Sequence, residues 1–166
     1  MPLALSFEEL LGYTSDERNK WERWFHAQPA AALHAGVQRD GRFPDVWKLM
    51  DHIFLVEKRH TQRLKRESPL TEQTGVAPDD VTALFEFARS VRKELADFIS
   101  RATDMDLSRI IELKFPGYSG SFTARKLAFH ILFHEIRHWA QIATAVRNAG
   151  FAPPGSHDLL FTQALE

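Results

Sequence analysis

Residues 130–141 contain three histidines spaced four residues apart: His130, His134 and His138. On an α-helix this spacing stacks side chains along one face, with neighbouring Cβ atoms roughly 5 to 6 Å apart. Two imidazole nitrogens at that separation can hold one divalent metal ion. The spacing therefore predicts a metal site. The alternative is a helix whose histidines have only a structural role.

The segment His134-Glu135-Ile136-Arg137-His138 also fits the H-E-x-x-H pattern of zinc metalloproteases, in which the glutamate is the general base. A pattern with three fixed positions recurs by chance. The chain also shows no strand-rich lobe that could align a peptide by β-pairing. A protease, with Glu135 as its base, is therefore a minor alternative.

Composition narrows the classes of function. The 166 residues suit one domain, residues 1–166, and 21 Lys+Arg against 22 Asp+Glu leave no basic excess for nucleic acid. Because the chain has no cysteine, its metal ligands would be histidines and carboxylates. No run of 18 apolar residues and no leader pattern occurs, so we expect no membrane association and a cytoplasmic location.

Apolar spacing and capping signals predict four long amphipathic helices. Ser6 and Glu9 form a capping box before the first helix, Pro78 suits the first turn of the third, and Thr123 or Ser121 can cap the fourth. A short strand or extended connector is expected at 110–115, and no hairpin is predicted. The helices are expected at 7–28, 46–66, 81–102 and 123–148. This order predicts an all-α four-helix bundle, in which metal ligands project inward from facing helices.

The third ligand should come from another helix. Two candidates, His52 and His60, lie on the second helix. By angle, His60 lies about 40° from the apolar centre of that helix and His52 roughly 100° from it. Periodicity therefore does not choose His52. The remaining candidates are His26, His34 and His157.

Longer motifs resemble a known family. The pattern His134-x-x-x-His138-x-x-Gln141, preceded by His130 and a Thr-Ala-Arg-Lys-Leu helix start, resembles the last helix of the DinB/YfiT-like proteins. The segment 49–57, with a histidine followed five residues later by glutamate, resembles their second helix. The loop 148–155 is also similar. The resemblance extends from about Glu8 to Phe161.

The resemblance implies that one histidine of the second helix and two of the last bind a divalent metal, here His52, His134 and His138. His130 could then support a ligand, contact the substrate or be structural. Gln141 could hydrogen-bond a ligand or bound water, or cap a neighbouring helix.

Glu57 could orient one of the histidine rings of this set. A solvated glutamate paired with Lys58 or Arg63 is the commoner fate of such a residue.

Three neutral imidazoles keep the full charge of the ion, which lowers the pKa of water toward about 7 or stabilises a thiolate. The resemblance implies a metal-dependent enzyme on a small molecule, with thiol S-transferase slightly ahead of hydrolase and a low-molecular-weight thiol as substrate. The alternative is a non-catalytic metal-binding stress-response protein. Zinc is the first expectation and nickel the second, followed by iron and manganese. The 13 phenylalanines and four tryptophans also supply apolar surface for a homodimer.

Overall fold

The computed structural model describes residues 4–37, 41–115, 117–155, 157 and 159–162. Four long helices form the predicted bundle, and a short helix and a β-hairpin precede the last of them. The α-helices are α1 (Phe7–Ala27), α2 (Val46–Leu64), α3 (Val81–Ile99), α4 (Asp104–Ser108) and α5 (Ala124–Asn148). The strands are β1 (Ile110–Phe115) and β2 (Tyr118–Thr123), and short 3₁₀ helices lie at Ala30–Ala32 and Leu159–Phe161.

Polar side chains cap the long helices. The Ser6 hydroxyl accepts a hydrogen bond from the Glu9 amide at 3.1 Å, and the Glu9 carboxylate accepts one from the Ser6 amide at 2.6 Å. This confirms the predicted capping box. Thr123 caps α5 by accepting from the amide of Lys126 at 3.1 Å, so the cap is Thr123 rather than Ser121.

Several helix boundaries differ from the predicted ones, and α3 ends at Ile99 instead of Ala102. Asp80 caps α3 by accepting from the Ala83 amide at 2.9 Å, so Pro78 lies before the helix and not in its first turn. Helix α2 ends at Leu64 instead of Arg66, which has a left-handed φ of 64°. A residue in that conformation cannot continue a right-handed helix.

The segment before α5 is a two-stranded antiparallel hairpin, which corrects the prediction of a single connector and no hairpin. Ile110 pairs with Thr123 at the open end, and Phe115 pairs with Tyr118 at the turn. Gly117 in the turn has a φ of 77°, a conformation that glycine adopts at little cost. Because no residue of β2 is buried, it has no apolar alternation that would have marked it as a strand.

The core consists of two hydrophobic clusters at different levels of the bundle. Four charged residues, one from each long helix, form an ion network between members of the two clusters: Arg18, Glu57, Arg92 and Glu135. The apolar faces therefore hold the helices together above and below a buried layer of charge. Among the described helices, none has the length and apolar content that crossing a membrane requires.

Candidate metal centre

Helices α2 and α5 bring His52, His134 and His138 together. Each offers one ring nitrogen, and the three nitrogens lie within 4.8 Å of one another. The His52 ring centroid is 5.1 Å from that of His134 and 5.3 Å from that of His138. His134 and His138 are buried, and His52 is half-buried. The group of residues that the resemblance implied is therefore one that could hold a metal ion.

Two neighbours fix the orientation of these rings. Gln141 Oε1 lies 2.5 Å from His138 Nδ1, on the side of the ring away from the triad. The Phe43 ring centroid lies 4.4 Å from that of His52 and 6.1 Å from that of His138. An amide on one side and an aromatic ring on another leave His138 Nε2 directed at His134.

The two Nε2 atoms of His134 and His138 are 3.1 Å apart. If His138 donates its Nδ1 proton to Gln141, its Nε2 carries a lone pair. Two lone pairs at that distance repel each other unless a proton or a cation interacts with both. This arrangement is one that a divalent ion suits, because imidazole nitrogens coordinate it about 2.0 to 2.1 Å away.

Burial keeps these imidazoles neutral. It lowers the pKa of His134 to about 2, with a further contribution from neighbouring His138. Burial also lowers the pKa of His52 to about 4, again with His138 as the next cause. The pKa of His138 is lowered by burial as well, although its bond to Gln141 opposes that shift. Neutral rings are the form that binds metal, so the electrostatics favour the proposed ligands.

His60 and His130 form a second pair beside the triad. Their ring centroids are 5.7 Å apart, and that of His130 is 5.6 Å from that of His134. His60 is buried, as its position near the apolar centre of α2 suggested, but it does not belong to the group of converging nitrogens. Because His52 meets the C-terminal side of the α5 histidines and His60 the N-terminal side, the two helices run antiparallel.

The other histidine candidates lie elsewhere among acidic partners. His34 contacts Asp45 and Asp79 at 3.5 and 3.2 Å, and His157 contacts Glu17 at 2.6 Å. His26 is near Glu22, with 3.9 Å between the charged atoms. Within the described residues none of these three belongs to the group of converging nitrogens.

Glu135 belongs to a buried ion network and is not a base facing the site. Arg18 donates to both of its carboxylate oxygens, at 3.0 and 2.8 Å, and Trp139 donates to it at 2.9 Å. Arg92 also donates to it. Burial alone would raise the pKa of Glu135, but Arg18 and Arg92 hold it below its usual range. The metalloprotease interpretation is therefore wrong for this glutamate.

Glu57 joins the same network, so the expectation of a solvated glutamate paired with Lys58 or Arg63 is wrong. It accepts from Arg18 at 2.6 Å and from Arg92 at 2.9 Å. Arg18 is 3% exposed, and its charge is nevertheless retained, because Glu135 and Glu57 raise its pKa against the effect of burial. The network connects all four long helices.

The triad opens into a cavity of about 1100 Å³ between α2 and α5. The loop after α2 and strand β1 complete its wall. Its lining residues are Arg42, Phe43, His52, Val56, Arg59, His60, Arg63, Pro69, Leu70, Thr71, Lys114, His130, His134, Arg137 and His138. The three histidines of the triad therefore lie on the wall of this cavity.

The fold and site define a helical-bundle protein with a three-histidine centre on one wall of an open cavity. The family model of the DinB family matches residues 1–165, and this chain therefore belongs to the DinB family. Its structure is similar to that of a DinB-like protein from Bacillus subtilis, YjoA. The TM-score is 0.64 at 18% identity, over 90% of this chain and 97% of YjoA. No curated protein sequence matches the chain significantly.

Proposed function

We propose that this chain is a metal-dependent enzyme that acts on a small molecule, with thiol transfer as its reaction and His52, His134 and His138 as the metal ligands. One observation carries the proposal: three converging imidazoles form part of the wall of a large cavity instead of being sealed in the core. Catalytic zinc sites typically use three protein ligands and keep one position open, whereas structural sites are closed by four. Three histidines beside a cavity fit the first pattern.

A divalent ion in such a site supplies positive charge that makes a nearby thiol or water more acidic. The surrounding residues already hold the three histidines in an orientation and protonation state that suit a bound ion. Gln141 orients His138, burial keeps His134 neutral, and Phe43 covers the side of His52. Zinc is the first candidate for the ion and nickel the second, because imidazole suits both.

The cavity lining supports thiol transfer ahead of hydrolysis. Within the described part of the chain, no carboxylate lines the cavity, so any general base there would be a histidine such as His60 or His130. A thiol loses its proton more readily than water and depends less on a general base, because its ordinary pKa is about 8.5 and that of water is 15.7. A site without a carboxylate base therefore suits a thiol substrate better.

Elemental analysis is the first test of the proposal. The protein for it is purified without a metal column or a histidine tag. We expect about one equivalent of a divalent transition metal per chain. Replacement by Co(II) should give a visible spectrum that changes when dithiothreitol or azide enters the coordination shell. An activity screen with low-molecular-weight thiols then follows with the same samples.

His34→Ala is the matched control, because His34 is exposed and does not belong to the converging group. It should bind metal like the unmodified chain. A Co(II) spectrum that no thiol or anion alters would mean a closed site. The protein would then be the alternative, a metal-binding protein without turnover.

A further inference from the structure

The cavity that reaches the triad is lined by cations. Five positively charged side chains line it: Arg42, Arg59, Arg63, Lys114 and Arg137. Within the described residues, no aspartate or glutamate lines it. The chain as a whole has a net charge of -1, so this concentration of one sign is local to the cavity. Such a cavity favours the binding of anionic small molecules.

Arg63 shows the imbalance most clearly. It is half-buried, and its Nη1 contacts the His60 ring nitrogen at 3.3 Å. No carboxylate of the described residues lies within ion-pair distance of it. Burial and the nearby charge of Arg59 lower its pKa, as expected for a guanidinium without a counter-ion. Arg18, by contrast, is buried between two carboxylates.

Arg59 is held in place by backbone. Its Nε donates to the Leu70 carbonyl at 2.7 Å, and its Nη2 donates to the carbonyls of Thr71 and Glu72 at 3.1 and 3.2 Å. These bonds fix the guanidinium against the loop that covers the cavity without neutralising its charge. Its positive charge therefore stays available to a ligand.

Arg59 and Arg63 share one face of α2 with His52, because they follow it by seven and 11 residues. At 1.5 Å per residue, they lie roughly 10 and 16 Å from it along the helix axis. A small molecule whose reacting atom is at the triad therefore extends toward these arginines. Arginine is the side chain best suited to bind a carboxylate or phosphate through two parallel hydrogen bonds.

We infer that the substrate carries an oxyanion group, a carboxylate or a phosphate, which Arg63 and Arg59 bind while its reacting atom lies at the three-histidine centre. This inference rests on the proposed function for the reacting end of the molecule. The anionic end rests on the cavity alone. It restricts the substrate to acidic small molecules about as long as the distance between triad and arginines.

Two thiols of similar length test the inference: 8-mercaptooctanoate, whose carboxylate can reach toward the arginines when its sulfur is at the triad, and 8-mercapto-1-octanol, which has no carboxylate. Their dissociation constants are measured by ligand-observed NMR on the full chain, both free of metal and loaded with Co(II). We expect the unmodified chain to bind 8-mercaptooctanoate at least roughly tenfold more tightly in both forms. The preference should shrink as salt is added.

The variant Arg63→Gln should lose most of this preference and keep its affinity for 8-mercapto-1-octanol, and Arg63→Lys should restore part of it. The matched control is Arg23→Gln, which removes the same charge from an exposed site on α1 and should change nothing. Competition by succinate and by inorganic phosphate identifies which oxyanion binds better. Displacement by neither contradicts the inference.

Equal binding of the two thiols by the unmodified chain would also overturn it, as would equal effects of Arg63→Gln and Arg23→Gln. The two proposals fail separately. A chain that prefers 8-mercaptooctanoate but takes up no Co(II) refutes only the metal-dependent enzyme. A chain that takes up Co(II) and shows no preference refutes only the anionic substrate.

Discussion

His138 Nδ1 lies 2.5 Å from Gln141 Oε1, one turn further along α5. An amide oxygen only accepts, so this contact is a hydrogen bond when the imidazole proton is on Nδ1, and the lone pair is then on Nε2, the nitrogen that faces His134. Gln141 thus sets both the tautomer and the orientation of the ring. Hydrogen bonds of this kind are typical of histidines that ligate metals.

Replacing this glutamine should weaken metal binding without abolishing it. We expect Gln141→Ala to lower the affinity for Zn²⁺ by about 10- to 100-fold, because His138 loses the partner that fixes its proton. Competition with a chromophoric chelator measures the change. Gln73→Ala, at an exposed loop position, is the control and should bind as the unmodified chain does. Equal affinities for all three proteins would show that Gln141 has no role in the site.

Removing a ligand has a larger effect. His52→Ala, His134→Ala and His138→Ala should each abolish stoichiometric metal binding, since two imidazoles hold an ion far less tightly than three. His60→Ala should keep it, because the His60 ring lies with His130 and outside the converging group. Elemental analysis of each purified variant measures its metal content and tests this prediction. Loss of metal in the His60 variant with retention in the His52 variant would show that the assignment on α2 is wrong.

The two α2 histidines show how far sequence reasoning extends. Periodicity favoured His60, and the structure buries it accordingly, yet the ring that meets His134 and His138 is that of His52. A ligand needs to reach a site at the edge of the core, so the most apolar position of a helix is not the best place for it. Only the resemblance to DinB-like proteins identified His52.

The burial of Glu57 and of Arg18 was not predicted from the sequence, and the physical reason is the same for both. Glu57 was expected at the surface, because charged residues usually lie there, and its four-residue spacing from Ile53 on the apolar face was the available signal. Arg18 precedes buried Trp21 by three residues and carries the same signal. Partners on other helices make such burial tolerable, and a single helix does not reveal them. The four long helices, by contrast, could be predicted from local capping residues and apolar spacing alone.

The buried network predicts a large stability effect. Glu135→Gln leaves Arg18 and Arg92 with Glu57 as their remaining carboxylate partner, and breaking a buried pair typically costs about 3 to 5 kcal/mol. Urea unfolding of the metal-free protein measures the loss. Glu86→Gln removes the same charge from the exposed face of α3 and should cost little. A loss below about 1 kcal/mol for Glu135→Gln would contradict the network's structural role.

Metal should stabilise the bundle. An ion that binds the folded chain and not the unfolded one adds roughly 4 kcal/mol at a concentration about 1,000 times its dissociation constant. The melting temperature should therefore fall when EDTA removes the ion, and His138→Ala should melt at one temperature with or without EDTA. Identical melting of the unmodified chain before and after chelation would count against a bound ion.

His60 should make the metal-free protein less stable in acid. Burial lowers its pKa to about 3, with the nearby charge of Arg63 as the next cause, and Arg59 and His130 also face it. As pH falls below about 6.5, the unfolded chain takes up a proton on this residue and the folded chain does not. The stability contributed by the neutral buried ring is thus complete above about 6.5 and is lost progressively toward pH 3. Between pH 7 and 5 the loss is about 2 kcal/mol, at 1.36 kcal/mol for each pH unit below 6.5.

Urea unfolding of the metal-free unmodified chain and of His60→Leu at both pH values measures this loss of stability. The variant should lose about 2 kcal/mol less between pH 7 and 5, and equal losses would mean that His60 is protonated in the folded bundle as readily as in the unfolded chain.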